Sequence, residues 1–156
     1  MVLPTGMRNV FEGGPRSGVA GEVLADSANW INSMDLAIER GTFDGSHFTD
    51  YAADEAIESG HAFVTDYHKH QETWTGVTRY YDRQVQLMSR SAARLTYCGD
   101  ESKAFTEEVR THRIHRTTKV AATAYVAYET SLKKNARGIW QTVSVDSERG
   151  AARCQP

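Results

Sequence analysis

The sequence predicts an α+β fold in which helices near the amino terminus pack on one face of a curved antiparallel sheet. Apolar residues recur at three- and four-residue steps in the first half of the chain, which is typical of amphipathic helices. After Gly76 apolar and polar residues alternate, which is typical of strands. The turns between these strands are short, and short turns join antiparallel strands. Because the helices precede the strands, we expect them to share one face of the sheet.

The composition is that of a single globular domain. The chain has 156 residues, of which 40% are hydrophobic and 24% are charged. Its net charge of -2 argues against a general nucleic-acid binder, which would carry a basic excess. No apolar run approaches the roughly 18–20 residues of a membrane span. We therefore expect neither a nucleic-acid partner nor a transmembrane segment.

Residues 1–18 are expected to form a flexible leader, and residues 19–156 a single α+β domain. The leader contains several glycines together with Pro4 and Pro15. It has no apolar stretch of about 7–15 residues, so it does not read as a signal peptide.

Helices are predicted over residues 19–40 and about 52–72, with one helical turn at 46–51 between them. Gly41 follows the first helix, where a left-handed cap is expected. Gly60 falls on the apolar face of the second helix, which indicates close packing of helices at that point.

Strands are predicted after the helices, joined by turns that contain small and polar residues. Residues 106–117 are polar and basic and are expected to form a hairpin end or a loop. The segment Asn135–Gly138 predicts a tight turn. The strands are expected over residues 77–88, 93–105, 119–133 and 139–146.

The two cysteines, Cys98 and Cys154, both lie in polar settings. The residues alone leave two alternatives open: two unrelated thiols, or one structural disulfide. A disulfide would place the protein outside a reducing cytosol. A zinc ribbon and a C-x-x-C redox pair are both excluded by the spacing.

The order of elements resembles the nuclear transport factor 2-like superfamily, whose cone-shaped, cystatin-like α+β fold is shared by ketosteroid isomerases and many small binding proteins. The chain also resembles small secreted proteins and lipoproteins of actinobacterial type. That resemblance implies export and a bridge between Cys98 and Cys154. The segments that carry it are Thr78–Arg83, Leu95–Lys103, Gly138–Val145 and Arg149–Cys154.

A cone-shaped sheet capped by helices implies a pocket, and such pockets are mostly apolar with a few placed polar groups. The alternative is that the aromatic residues simply pack in the core and on the sheet faces. The candidates for lining the pocket are Trp30, Trp74, Tyr80, Tyr81, Tyr125, Tyr128 and Trp140.

A catalytic alternative follows from the same resemblance. A ketosteroid-type isomerase uses an aspartate base, with a tyrosine and a protonated aspartic acid that donate to an oxyanion. Asp35 lies at the edge of the first helix's apolar stripe, and Tyr51, Tyr80 and Asp82 are candidates for the other groups. Strict alternation would put Tyr80 and Asp82 on one strand face. The competing interpretation is a solvated Asp35, with Asp82 paired to a neighbouring arginine.

Metal and anion sites have weaker support. His61 and His68 share a helix flank but lie about 10.5 Å apart along it, too far to share one zinc ion. We expect no metal and no cofactor. Basic residues cluster near two histidines and are expected either to hold an anion or to be solvated: Arg110, His112, Arg113, His115, Arg116 and Lys119.

The leading functional hypothesis is a non-catalytic binding or interaction module that is secreted or sits at the cell envelope. Its partner would be a protein or a small apolar ligand, and it would dimerise through its sheet. The alternative is an isomerase or hydrolase that acts on an apolar ligand in the cone. A buried aspartate facing a tyrosine hydroxyl across an open pocket would favour the enzyme. A pocket plugged by tryptophan and tyrosine side chains would favour the interaction module.

Overall fold

The structure is a computed structural model that describes residues 1–14, 16–117 and 119–156. Three helices and a mixed sheet form its framework, and the 3-10 turns Ala122–Ala124 and Ala152–Cys154 precede and follow the last two strands. The helices are α1 (Gly18–Arg40), α2 (Phe48–Tyr51) and α3 (Glu55–His70). The strands are β1 (Met7–Phe11), β2 (Glu72–Leu87), β3 (Ala92–Glu108), β4 (Ile114–His115), β5 (Tyr125–Lys134) and β6 (Trp140–Arg149).

The strands form one sheet in the order β1-β2-β3-β5-β6, and β4 pairs with the far end of β3. The pairs β2–β3, β3–β5 and β5–β6 are antiparallel. The helices cover the concave face of this sheet, so the predicted α+β fold class is confirmed. No helix in the described part of the chain is both long and apolar enough to cross a membrane.

The expectation of a flexible leader is wrong for residues 7–11, which form β1. This strand pairs in parallel with β2, with Met7 opposite Gly76 and Phe11 opposite Tyr80. The sheet is therefore mixed and not wholly antiparallel. A parallel pair needs a long crossover, here the whole helical segment, so no local hairpin signal announces it. Pro15, which belonged to the expected leader, lies outside the described residues.

The second long helix is shorter than predicted, because Gln71 ends it in a left-handed conformation with φ 55°. Trp74 therefore belongs to β2. The close packing predicted at Gly60 is confirmed: a Cβ atom there would lie 2.7 Å from Phe48 Cε2. The strand expected from residue 119 begins only at Tyr125, after a 3-10 turn.

Two irregularities in the pairing of β2 with β3 interrupt the alternation of β2, one between Val77 and Arg79 and one between Tyr81 and Gln84. Bulges bend a strand and shift which side chains face inward. Asp82 lies in the second bulge with φ 50° and is exposed. The prediction that Tyr80 and Asp82 share a strand face is therefore wrong.

The main core lies between α1 and the concave face of the sheet. Val23 and Ile38 from α1 pack with Leu95, Leu132 and Trp140 from the strands, and all are almost completely buried. A buried charged residue, Arg83, enters this interface from β2.

A smaller cluster lies on the opposite face of the sheet, around a disulfide between Cys98 and Cys154. The bridge joins β3 to the chain's last turn, with the two Cα atoms 5.5 Å apart. Both cysteines are about 1% exposed. The predicted disulfide is confirmed, and the alternative of two unrelated thiols is excluded.

Candidate functional site

A cavity with two lobes lies between α1, α3 and the concave face of the sheet. One lobe has a volume of about 510 Å³ and the other of about 310 Å³. The two lobes adjoin, because the same side chains line both of them. A volume of this order is typical of sites for small molecules. The shared residues are Asp35, Phe63, Tyr80, Glu101 and Arg149.

The smaller lobe is mainly aromatic and aliphatic. From α1 it receives Trp30, Ile31 and Met34, and from the strands it receives Tyr97 and Tyr128 among others. The rings of Tyr97 and Tyr128 stack with their centroids 4.8 Å apart, and Tyr80 meets Tyr97 edge-on at 5.9 Å. This stacking fixes the orientation of the rings that line the lobe.

The larger lobe is more polar and reaches the segment that precedes β5. Thr78, Ser102 and Thr106 contribute hydroxyl groups from β2 and β3. Phe63, which lines both lobes, is 48% exposed, so it stands where the cavity opens to solvent. Lys119 lies on the exposed outer side of this lobe.

Asp35 is the buried acidic group of the cavity, with only 7% of its surface exposed. Its Oδ1 accepts a hydrogen bond from Trp74 Nε1 at 3.0 Å, and its Oδ2 accepts one from Asn9 Nδ2 at 2.6 Å. Burial raises the pKa of Asp35 to about 6, although both hydrogen bonds act in the opposite direction. Near neutral pH the carboxyl group is therefore mostly ionised but close to its titration range.

Glu101 and Arg149 form an ion pair at the junction of the two lobes. Arg149 donates from Nη1 to Glu101 Oε2 at 2.5 Å and from Nη2 to Oε1 at 3.2 Å. Arg149 Nη1 also donates to the carbonyl oxygen of Thr123 at 2.9 Å. A bidentate pair of this kind largely neutralises its own charge.

Several tyrosine hydroxyl groups face this region, and burial keeps them neutral. Burial raises the pKa of Tyr67 to about 12 and that of Tyr80 well above its ordinary value. The pKa of Tyr128 is raised for the same reason. These phenols are hydrogen-bond donors across the physiological pH range.

The structure places Trp30, Trp74, Tyr80 and Tyr128 against the cavity. The other aromatic candidates lie elsewhere. Trp140 is fully buried, and its indole Nε1 donates to Glu22 Oε2 at 3.3 Å. Tyr81 and Tyr125 pack beside the disulfide on the opposite face of the sheet. Tyr81 follows the inward-facing Tyr80, so it points outward, and its hydroxyl donates to the carbonyl oxygen of Cys154.

Of the four catalytic candidates, the structure brings together only Asp35 and Tyr80. Tyr51 lies on α2, half-buried against the core, and does not line either lobe. Asp82 is exposed in the bulge of β2. The expectation of a solvated Asp35 is also wrong, because α1 places this side chain between β1 and β2.

Sequence reasoning missed Asn9, Phe63, Glu101 and Arg149 as cavity residues. Asn9 gave no signal because its strand read as a leader. Glu101 and Arg149 lie within the segments that carry the family resemblance, but nothing in the sequence pairs them. Their contact depends on the register of β3, β5 and β6, which opposes Asp100 to Tyr125 and Val126 to Arg149.

The histidines have structural contacts. His61 stacks on Phe43 with the ring centroids 4.5 Å apart, and His68 Nε2 lies 2.9 Å from the carbonyl oxygen of Ala37. The basic segment forms the exposed β3–β4 hairpin, in which His112 pairs with Glu107 and His115 with Glu108, each at 2.9 Å. Within residues 1–14, 16–117 and 119–156, no three His, Cys, Asp or Glu side chains are grouped so that they could hold a metal ion.

Solved structures share this architecture at low sequence identity. The intermembrane space region of the chloroplast protein ARC6 superposes with a TM-score of 0.57 and 10% identity, over 86% of this chain and 99% of that one. A protein from Catenulispora acidiphila superposes with a TM-score of 0.51 and 12% identity, over 82% of this chain and 88% of that one. No protein-family model and no curated protein sequence matches the chain.

A likeness at these identities shows the fold alone. The fold shared with these structures is an α+β arrangement of helices on a curved mixed sheet, and its α+β class is the one that the sequence predicted. The resemblance to the nuclear transport factor 2-like superfamily stays a prediction. The resemblance to secreted proteins and lipoproteins of actinobacterial type stays a prediction.

Proposed function

We propose that this chain is a non-catalytic binding module that holds a small, largely apolar ligand in its cone. The observation that supports this most is the cavity itself, with lobes of about 510 and 310 Å³. Both lobes are lined by Phe63, whose side chain is half exposed where the cavity opens to solvent. Aromatic and aliphatic walls with a few fixed polar groups are typical of such sites. Asp35 has a structural role in the wall of the cavity, because its two carboxyl oxygens accept hydrogen bonds from β1 and β2 and so join both strands to α1.

We also propose that the protein works outside the reducing cytosol, either secreted or at the cell envelope. The buried disulfide between Cys98 and Cys154 supports this, because such bonds persist in oxidising compartments. Contact with a protein partner or with a second copy through the sheet is a further proposal. Light scattering on the purified chain tests it, since a dimer has twice the mass of 17.4 kDa.

A cavity-filling substitution tests the binding function. Ser147 on β6 lines the smaller lobe, so Ser147→Trp places an indole where the ligand would lie. Ser89 in the β2–β3 turn gives a control with the same substitution outside the cavity. The neutral fluorophore N-phenyl-1-naphthylamine is the probe, because its emission rises in apolar surroundings.

We expect saturable binding of this fluorophore to the wild-type chain and to Ser89→Trp, and binding about tenfold weaker to Ser147→Trp. Thermal melts followed by circular dichroism establish that both variants are folded. Equal binding by all three chains, or no saturable binding by the wild type, would contradict a ligand site in the cone.

One observation favours a second candidate, an isomerase: Asp35 is buried and lines an open cavity together with Tyr80. In such a reaction the Asp35 carboxylate takes a proton from the carbon between a carbonyl and a double bond, while the Tyr80 hydroxyl donates to the carbonyl oxygen. The proton then returns to the far end of the double bond, and the product is a conjugated ketone. A base with a pKa of about 6 suits this chemistry near neutral pH.

The two functions differ in a simple assay. A β,γ-unsaturated ketone is incubated with the wild-type chain, and the ultraviolet absorbance of the conjugated product is followed. The binding module predicts no turnover above the rate in buffer. Turnover that Asp35→Asn removes and Asp82→Asn leaves unchanged would establish the isomerase and refute the non-catalytic proposal.

A further inference from the structure

Asp35 is a buried charged side chain of the cavity, and it has no charged partner among the described residues. Glu101 and Arg149 neutralise each other, and Lys119 is exposed on the outer side of the larger lobe. The two hydrogen-bond donors to Asp35, Asn9 and Trp74, are both neutral. Among the described residues that line the cavity, the net buried charge is therefore negative whenever Asp35 is ionised.

In the part of the chain that the structure describes, the groups that face Asp35 from other elements do not supply a free cation. Glu101 on β3 adds a second negative charge, and its effect raises the pKa of Asp35 further. Tyr67, Tyr80 and Tyr128, from α3, β2 and β5, are neutral phenols that interact with the charge of Asp35. Arg149 on β6 is engaged with Glu101. A buried carboxylate without a counter-charge is costly, and a bound cation would relieve that cost.

The lining of the smaller lobe independently favours the same kind of ligand. Aromatic rings carry negative charge on their faces and attract cationic groups within about 6 Å. Trp30, Tyr80, Tyr97 and Tyr128 contribute such rings, and Phe63 adds another at the opening. Aromatic walls around one carboxylate are the arrangement by which proteins hold ammonium groups.

We infer that the cavity binds an organic cation: a ligand with an ammonium group beside Asp35 and an apolar body against the aromatic walls. This inference rests on the proposed binding function and narrows it. Simple anions are disfavoured, because they would meet Asp35 and would have to displace Glu101 from Arg149. Neutral apolar molecules of the same shape fit the walls but leave the carboxylate without a partner.

Two probes of nearly equal shape separate charge from size. Phenyltrimethylammonium and tert-butylbenzene differ in that a charged nitrogen replaces a neutral carbon. We expect the cation to bind about tenfold more tightly than the hydrocarbon at about pH 8, where Asp35 is ionised. Titration of the full chain, with its disulfide intact, by nuclear magnetic resonance gives both affinities.

Variants and pH identify the group responsible. Asp35→Asn keeps the size of the side chain and removes its charge, so it should abolish the preference for the cation. Asp82→Asn makes the same change at an exposed site and should preserve it. In the wild type, the preference should shrink at about pH 5, because Asp35 is then largely protonated. This pH dependence needs no variant, so it tests the inference even where Asp35→Asn does not fold.

The outcomes separate the inference from the proposed function. If tert-butylbenzene binds the wild type as tightly as the ammonium probe at about pH 8, the inference of a cationic ligand is wrong and the binding function stands. A preference for the cation that is unchanged in Asp35→Asn also overturns the inference. If phenyltrimethylammonium, tert-butylbenzene and N-phenyl-1-naphthylamine all fail to bind saturably, the proposed binding function itself is wrong.

Discussion

Trp74 donates its indole N–H to Asp35 Oδ1 at 3.0 Å, and this bond joins β2 to α1 at the wall of the cavity. Both residues are buried, with 8% and 7% of their surfaces exposed. A second donor, Asn9 on β1, reaches the other carboxyl oxygen. One carboxylate thus connects three elements that are distant in sequence, and its ionisation affects both the stability of the fold and the charge of the cavity.

Replacing Trp74 with phenylalanine should destabilise the protein more than the same change at Trp30. Both tryptophans are buried and line the cavity, but Trp30 Nε1 has no hydrogen-bond partner among the described residues. Trp74→Phe removes a donor from a buried carboxylate, whereas Trp30→Phe removes only an unpaired donor and part of a ring. We expect the two unfolding free energies to differ by about 2 kcal/mol.

Urea unfolding of the two variants near neutral pH measures this difference. Similar losses of volume make each variant the control for the other. Equal destabilisation would mean that the bond between Trp74 and Asp35 contributes nothing net.

The protein should become more stable as the pH falls from about 8 to about 5, through the titration of Asp35. Its pKa is raised from 3.8 to about 6 in the folded state, so the folded chain binds this proton more readily than the unfolded chain. The contribution of this proton to the free energy of unfolding is complete below the unfolded pKa of 3.8 and is lost as the pH rises through about 6. Over this interval the change amounts to about 1 kcal/mol.

Comparison with Asp35→Asn isolates this contribution from that of other groups. Asp26 has a raised pKa from burial and acts in the same direction, but it titrates in both chains. The difference in unfolding free energy between wild type and Asp35→Asn should therefore vary with pH, while Asp82→Asn should run parallel to the wild type. A pH-independent difference for Asp35→Asn would show that Asp35 titrates with an ordinary pKa.

The first strand should be protected as part of the sheet. Asn9 donates to Asp35 and also to Asn32 Oδ1 at 2.9 Å, so Asn9→Ala removes a donor from the buried Asp35 carboxylate and from a partly buried amide oxygen. We expect a loss of about 2 kcal/mol, with little effect from Arg8→Ala, whose side chain is exposed on the same strand. Hydrogen exchange measures protection at residues 7–11 directly, and rapid exchange there would restore the expectation of a flexible leader.

The elements that depend on local patterns were predictable from the sequence. The apolar stripe of α1 and the alternation of β2, β3 and β6 each arise from neighbouring residues, and the tight turn at Asn135–Gly138 has its own signal. Strand β1 was not predictable, because its pairing partner lies beyond three helices. Its side chains show no alternation that distinguishes a short edge strand from a loop.

The site was predictable only in part, for related reasons. Asp35 and Trp30 follow from the face of α1, but the sequence did not separate the inward-facing Tyr80 from its neighbour Tyr81, since both were candidates for the pocket. The bulge at Asp82 is a property of the pairing with β3, so strict alternation misplaced that residue. The ion pair of Glu101 with Arg149 depends on the registers of three strands, and no spacing in one strand encodes it.

The disulfide should account for a large share of the protein's stability. It closes a loop across 56 residues, and on the chain-entropy model such a constraint contributes about 4 kcal/mol by restricting the unfolded chain. Titration of the denatured, unreduced protein should find no free thiol. Urea unfolding should shift strongly after reduction, or in a variant with Cys98→Ser and Cys154→Ser together.

The bridge lies on the face of the sheet opposite the cavity, so ligand affinity measured well below the unfolding transition should be unchanged. Free thiols in the unreduced chain would remove both the disulfide and the case for export, whereas a loss of affinity in the folded variant would show that the two faces of the sheet are coupled.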